Sequence, residues 1–596
     1  MFISYSRIQK IINNPIAGFW FLYQYIKAKR LRYIKIKKTL PDFKNIFLID
    51  NDVFLKLIES GVNEEIKIFD TEIDMQNINW NYDYLNKINI PYKYYFDLRE
   101  WIAKNSFKGF DIKNVWELSR GYYLKDIAIK FYQTNDKEYI ELYKYIINSW
   151  IEQNTYLNSS NWTNPMEVSI RVLNWILSFQ IIVKKDQNAF DQDFIDKFSL
   201  NLNQSFIFLI NNIEQFPFKS NHYIVDNLGI FVLSILFNNQ YFVKKSFNNL
   251  IKSLDTQFDC NGVDFENSSN YQLLKLEAIM IAIIIKKQNE KLREIPKKYN
   301  YLEQLNKIYE FCKYLFKNEK EIFNFGDNDE TQIYDIKPLK NKIECLYSLI
   351  SDDSFLTNES RVFNDSGYGF LKNTDFNILF LRSNQKNSSH FHNDLLSFQL
   401  NYKGSDFFID PNTFNYNLNS EKRSYYVSTR RHNTCFVNYQ EQSKINKNDP
   451  FFRNNQKKAT VQKQNITDLR DEMTLKINYG GNSHTRSLIL HKKNNKLTIF
   501  DTFNGNIKDI EWNFYLPKSV QIKNDLMLKN IIVLENDSKV LIMEIPEMLS
   551  FQVQNSYISS QYNQEALGTN IKIHYKNIDH LQNLSFQINI MENYLK

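Results

Sequence analysis

Three of the chain's eight histidines stand close together. Two of them are a single residue apart in Ser389-His390-Phe391-His392-Asn393-Asp394, and the third lies in Arg431-His432-Asn433-Thr434. Between these segments runs Phe407-Phe408-Ile409-Asp410-Pro411. If His390-x-His392 is a strand, alternation turns both imidazoles to one face, which is how two of them meet one ligand. A carboxylate, Asp410, and a third imidazole, His432, follow on segments that also read as strand or strand edge. Imidazole and carboxylate together suit a divalent metal such as zinc, or proton transfer. The competing reading is a polar cluster at the edge of a β-sandwich.

Other residues carry chemistry only in company. Asn221-His222 heads a helical pattern after Lys219-Ser220, where Ser220 or Asn221 would serve as the N-cap. A helix N-terminus is also where an anionic group is favourably held. Tyr271 follows Phe265-Glu266-Asn267-Ser268-Ser269-Asn270, a loop that opens a helix; one Tyr among 37 signals packing by itself. Phe325-Gly326-Asp327-Asn328-Asp329 reads as a loop, either a turn or an acidic edge facing a sugar.

The elements that must position these residues change period part-way along the chain. Residues 115–132, 139–153, 166–183, 191–214, 223–237 and 272–286 place apolar side chains at i, i+3, i+4 and i+7, the spacing of a helix with one buried face. From about residue 362 the period becomes two, over 376–382, 397–402, 406–409, 434–438, 473–479, 487–491 and 496–501, with turn signals such as Asn504-Gly505. The polar stretch 351–360 separates the halves. Repeated helix pairs allow a bundle, a solenoid or a closed toroid, and the short strands allow a sandwich.

At 596 residues the chain is long enough for two to about four domains. With 43% hydrophobic and 15% aromatic residues, the material for large cores is ample. A net charge of +7 is modest for this length and gives no nucleic-acid signature. The basic run at 27–38, beside the apolar Phe19-Trp20-Phe21-Leu22-Tyr23, reads first as a solvated helix face and second as a weak membrane-surface contact. That apolar stretch is too short to span a bilayer, and no secretory signal is evident. This points to the cytoplasm, with a periplasmic or cell-surface setting as the alternative. Cys260, Cys312, Cys345 and Cys435 are scattered without CxxC spacing, so neither a disulfide framework nor a thiolate zinc site is indicated.

Several ordered motifs give these observations a common frame. HFHNDLLSFQLNYKGSDFFIDPNTFNYN and YYVSTRRHNTCFVNYQEQS, within 390–443, are joined by WELSR (116–120), NWTNPMEVSIRVLNW (161–175), SNHYIVDNLG (220–229), ENSSNYQLLKLE (266–277), FGDND (325–329) and SHTRSL (483–488). Over roughly residues 100–520 the chain resembles the heparinase II/III family of polysaccharide lyases. The resemblance implies an incomplete (α/α) toroid followed by an antiparallel β-sandwich. The corresponding division is a lead-in at 1–100, a toroid at 101–355 and a sandwich at 356–596. It implies β-elimination on a uronic-acid-containing, anionic polysaccharide: a base takes the C5 proton, an acid protonates O4, and the carboxylate is neutralised.

On that resemblance Tyr271 and His390 are the acid–base pair. Asn221 neutralises the carboxylate, with His222 beside it as a second proton carrier or sugar contact. Glu266 and Arg431 support the substrate. His392, Asp410 and His432 hold Zn²⁺ or another divalent ion that supports the site. A tyrosine base needs a depressed pKa, since free phenol titrates near ~10, and an imidazolium, a metal or Arg would supply it. Asn270 and Gln272 flank Tyr271 where relatives carry other residues, so substrate handling is expected to differ. Two rival readings are a non-catalytic carbohydrate-binding or assembly protein of capsule or lipopolysaccharide synthesis, and a metal-dependent hydrolase with Asp394 as general base.

Overall fold

The structure is a computed structural model. It describes residues 15–592 apart from 35, 37–38, 40, 42–51, 62–66, 69–70, 76, 216–218, 290–291, 293–300, 356, 382–389, 447–448, 452, 455–456, 524–529 and 577–582. The side chains of Phe19 to Leu22, and Lys35, Lys37 and Lys38 of the basic run, lie outside the described residues, as does Arg382 at the end of one expected strand.

Thirteen described helices precede the main sheets. They are α1 (Pro15–Leu31), α2 (Asp52–Ser60), α3 (Tyr95–Asn105), α4 (Ile112–Ser119), α5 (Leu124–Thr134), α6 (Glu138–Gln153), α7 (Pro165–Lys185), α8 (Gln192–Asn212), α9 (Asn221–Leu236), α10 (Gln240–Gln257), α11 (Ser269–Gln288), α12 (Tyr301–Leu315) and α13 (Leu339–Ser348). Together they form the (α/α) toroid. Helix α9 packs against α7, α8, α10 and α11, which makes it a hub of the helical half. The continuous helix expected at 115–132 is instead two helices. Gly121 stands between them at φ +70°, a left-handed conformation that glycine adopts without strain.

The motifs around α4 and α7 are scaffolding. Arg120 grips Glu167 with both prongs of its guanidinium, at 2.7 and 2.9 Å, and all but 1% of Arg120 is buried. The Trp116 indole donates to the Ser160 carbonyl at 3.1 Å, and Arg171 stacks over Trp150. Helix α7 is the one described helix long and apolar enough to cross a membrane. It is buried inside the helical core.

The C-terminal half is antiparallel and builds the β-sandwich. Two short hairpins, β1 (Lys67–Ile68) with β2 (Thr71–Glu72) and β3 (Tyr82–Asp83) with β4 (Ile88–Asn89), lie earlier in the chain, and a five-stranded sheet then runs β5 (Arg361–Phe363), β6 (Tyr368–Lys372), β7 (Phe376–Leu381), β8 (Phe398–Tyr402) and β9 (Ser405–Phe408). Behind it lies a four-stranded sheet, in the order β10 (Cys435–Val437), β17 (Asp509–Leu516), β22 (Gln564–Lys576), β21 (Ser550–Gln561). Beside this is an eight-stranded one, in the order β13 (Ala459–Ile466), β14 (Arg470–Tyr479), β15 (Asn482–His491), β16 (Lys496–Asn504), β23 (Asn583–Glu592), β20 (Lys539–Glu544), β19 (Ile531–Asn536), β18 (Gln521–Lys523), while β11 (Lys444–Ile445) and β12 (Arg453–Asn454) pair with each other.

Alternation along the five-stranded sheet explains its place. Phe370, Leu379 and Leu381 belong to the helical core, whereas Leu371, Ile378 and Phe380 belong to the sandwich core. Every residue of β7 is buried, so this sheet is the middle layer of the molecule and offers no solvated face. The histidines and the carboxylate of the candidate site therefore sit in the loops that leave it.

One of those loops meets the helical half at Gly326. The Asp327 N–H donates to the His390 carbonyl at 2.8 Å, and the Ser268 hydroxyl donates to the Asp327 carbonyl at 2.5 Å. Gly326 has φ +63°, and a Cβ there would run into the Asn267 carbonyl oxygen and crowd that of His390. Gly326→Ala is expected to cost at least about 1–2 kcal/mol from the left-handed backbone alone. A clear fall in the thermal unfolding midpoint should report this. An unchanged midpoint would show that the junction tolerates a side chain.

Candidate active site

Helix α9 begins unusually. Ser220 holds the N-cap position but its hydroxyl makes no capping bond. The Glu266 carboxylate does this instead, accepting the Asn221 backbone N–H at 2.6 Å and the Asn221 side-chain amide at 2.7 Å. An anion at this end of a helix is favoured by the exposed N–H groups and the axial dipole. Lys275, on α11, reaches Glu266 at 2.7 Å and Asp264 at 2.5 Å with no solvent exposure. Burial works against Glu266's charge, but Lys275, then His390 and the Asn221 N–H, hold its carboxyl below the usual range. Asp264, with less support, is pushed up by burial to about 6.

Helix α11 is capped in the ordinary way, the Ser268 hydroxyl accepting the Tyr271 N–H at 3.1 Å. This sets Tyr271 on the first turn, where its phenol oxygen lies 2.5 Å from that of Tyr416. Its ring meets His390 edge-on, with centroids 4.8 Å apart. His390 in turn lies 3.7 Å from Glu266 through Nε2. Asn221, Glu266, Tyr271 and His390 thus come together from two helix starts and a sheet loop.

Tyr271 does not have the depressed pKa expected of a tyrosine base. Burial raises the phenol well above its ordinary value, and the Asp329 and Asp327 carboxylates raise it further against the Tyr416 hydrogen bond. The resting side chain is protonated.

The two neighbouring histidines are not in a strand. Residues 390–393 form a loop ahead of β8, so strand alternation is not what aligns them. A buried carboxylate does this. Asp327 places Oδ2 at 2.8 Å from His390 Nδ1 and Oδ1 at 3.0 Å from His392 Nε2, and Arg423 sits 2.5 Å from the same Oδ1. Burial opposes its ionisation, but the Arg423 guanidinium and then the two imidazole hydrogen bonds hold its carboxyl far below the usual range.

His392, Asp410 and His432 are fully buried and present ligand atoms within 4.8 Å of one another. Asp410 lies just past β9, and His432 follows a single 3-10 turn ahead of β10. His432 Nδ1 is 2.7 Å from Asp410 Oδ2. His392 Nδ1 and His432 Nε2 are buried without a hydrogen-bond partner. Burial lowers His392 to about 4, so it is neutral, the form in which imidazole ligates a cation. Two orphaned imidazole nitrogens beside a carboxylate fit a divalent ion. His390, with its side chain 20% exposed, stands outside this group.

A second trio, Cys435, His484 and Asp501, meets the same spacing but is already neutralised. Arg486 forks Asp501 at 2.7 and 2.9 Å, while His484 and the Trp512 indole complete its hydrogen bonds. The SHTRSL motif is therefore a strut between strands.

Two further expected site residues have hydrogen-bond partners outside this group. His222 pairs through Nδ1 with Glu214 at 2.6 Å. Arg431 is 1% exposed; it donates to Tyr425 at 3.0 Å, to Ser556 at 2.6 Å and to the Tyr557 carbonyl, which uses it inside the sandwich. Sequence reasoning missed the roles of Asp327, Lys275, Arg423 and Tyr416. Asp327 carried a faint signal as an acid in a glycine-bearing loop, and Lys275 as a cation inside an apolar helix. The other two carried none.

Comparisons with known proteins place the whole chain in one family. The heparinase II/III N-terminus profile matches residues 27–349, and the heparinase II/III-like C-terminal profile matches 356–588. The chain belongs to the heparinase II/III-like family of polysaccharide lyases. No curated protein matches its sequence. Among solved structures it is similar to a heparinase III, at 16% identity and TM-score 0.68, covering 99% of this chain and 92% of that one. It is also similar to a second heparinase III gene product, at 17% identity and TM-score 0.60, covering 100% and 92%. The heparan sulfate lyase HepC from Pedobacter heparinus gives 17% identity and TM-score 0.55, again covering 100% and 92%. These likenesses carry the heparinase fold, a toroid joined to a β-sandwich.

If the buried trio holds a metal, His392→Ala should remove it. Elemental analysis of the purified variant is expected to show most of the bound divalent metal lost relative to wild type. Equal metal content in both would place the ion elsewhere.

Proposed function

We propose that this family member cleaves a uronic-acid-containing anionic polysaccharide by β-elimination. The observation that carries the reading is the convergence of Asn221, Tyr271 and His390 from separate segments of both halves, with the two rings 4.8 Å apart. A side-chain amide, a protonated phenol and an imidazole are what this elimination asks for. Asn221 spends one amide N–H on Glu266, which leaves the second to neutralise the C6 carboxylate of the sugar. His390 then takes the C5 proton. As the C4=C5 double bond forms and the C4–O4 bond breaks, Tyr271 gives its proton to O4. The assignment of Tyr271 as the acid follows from its protonated state beside Tyr416, and it leaves His390 as the base.

Zn²⁺ is the ion that two imidazoles and a carboxylate suit best. Held by His392, Asp410 and His432, it would supply fixed positive charge behind the sugar-facing residues. His222 and Arg431 are proposed to act at longer range, through Glu214 and through the loop before His432.

An assay of ultraviolet absorbance from the unsaturated uronate product, over a panel of uronic-acid polysaccharides, tests the reading. Heparan sulfate heads that panel, since one structural neighbour is a heparan sulfate lyase. Tyr271→Phe is expected to lower kcat by roughly 10²-fold or more, the range for a positioned acid or base, with substrate binding retained. No absorbance from any polymer, together with glycan binding unchanged by Tyr271→Phe, would instead favour a binding protein.

A further inference from the structure

We propose that Asp327 is a positioning residue that fixes the tautomers of His390 and His392 through its two oxygens, and so ties the acid–base site to the metal site. The His390 half of this rests on the lyase reading above; the His392 half does not.

The argument begins with hydrogen-bond capacity. An ionised carboxylate only accepts, so each imidazole facing Asp327 must present an N–H to it. His390 therefore presents an N–H on Nδ1, 2.8 Å from Oδ2, which turns Nε2 toward Glu266 at 3.7 Å. His392 carries its proton on Nε2, 3.0 Å from Oδ1, and keeps the lone pair of the buried, unpartnered Nδ1 for a cation. The two rings thus use opposite nitrogens, and one carboxylate accounts for both. A carboxylate behind a metal-bound imidazole also raises its basicity and fixes its orientation.

The clamp is rigid. Asp327 has no solvent exposure, and Arg423 faces Oδ1 at 2.5 Å while stacked over Phe451 and Tyr416. Its backbone N–H is bonded to the His390 carbonyl and its carbonyl to Ser268, the residue that also caps the Tyr271 helix. Tyr271, His390 and His392 are in this way referred to a single residue. The Arg423 guanidinium beside Oδ1 places a buried positive charge against the carboxylate that the two imidazoles share.

The test uses the full chain, stripped with a chelator and titrated with Co²⁺ while its visible absorption is recorded. Asp327→Asn, which keeps one acceptor oxygen and puts an NH₂ donor in place of the other, can accept from only one of the two imidazoles; it is expected to weaken Co²⁺ binding 10–100-fold and to shift the bands of the bound ion. On a polymer that the wild type cleaves, kcat should fall with KM changed only a few-fold. Wild-type Co²⁺ affinity and spectrum in Asp327→Asn, with only a lower melting temperature, would overturn the proposal. So would a wild-type protein that takes up no Co²⁺. If Asp327→Asn does not fold, Asp327→Glu keeps the charge while moving both oxygens: a ten-fold or greater loss of Co²⁺ affinity supports the proposal, and wild-type affinity overturns it. The Co²⁺ titration needs no substrate, so failure of the lyase reading is told apart from failure of this one.

Discussion

In the five-stranded sheet β5–β9 the central strands β6 and β7 have no face left for water, because their alternate side chains pack into two different hydrophobic cores. A sheet buried on both sides cannot shift register by one residue without sending every side chain into the wrong core. Its loops are consequently held in fixed positions relative to both halves of the chain. The loop before β8 carries His390 and His392, and the segment beyond β9 carries Asp410. From the opposite side, the first turns of α9 and α11 present Asn221 and Tyr271. The site exists because helix starts and sheet loops meet at the border of this middle layer.

That border is rich in buried charge, and each charge has a nearby opposite. Lys275 serves Asp264 and Glu266, Arg423 serves Asp327, and Arg486 serves Asp501. Removing one member of such a group costs far more than the net worth of the contact, on the order of 3–5 kcal/mol, since it strands the other charge in a dry interior. Apolar replacements would fill the same space, so these groups are better explained by geometry than by stability. Glu266 and Asp327 both work this way, the first holding the Asn221 amide and the second the two imidazoles.

The large divisions were legible in the sequence because they rest on periodicity. The helices at 139–153, 166–183 and 191–214 and the strands from 376 onward follow the spacing of their apolar residues closely. The 115–132 segment kept a helical period across Gly121 although the backbone reverses sense there. The site was legible in its residue types but not in its supports. His390 and His392 were found by spacing, yet a loop and Asp327 align them, not a strand. Asp327 lies 63 residues from His390, and Arg423 is likewise remote in sequence from the Asp327 it holds, so their spacing does not mark them as partners.

The central claim is that Tyr271 from the helical half and His390 from the sheet half act as one unit on a uronate polymer. A double-mutant cycle on kcat/KM, with Tyr271→Phe, His390→Ala and the pair together, measures this directly from the absorbance of the unsaturated product. Residues that act as a unit are strongly non-additive. The account predicts that the double variant is scarcely slower than the worse single one. Losses that multiply, as for two independent sites, would contradict it.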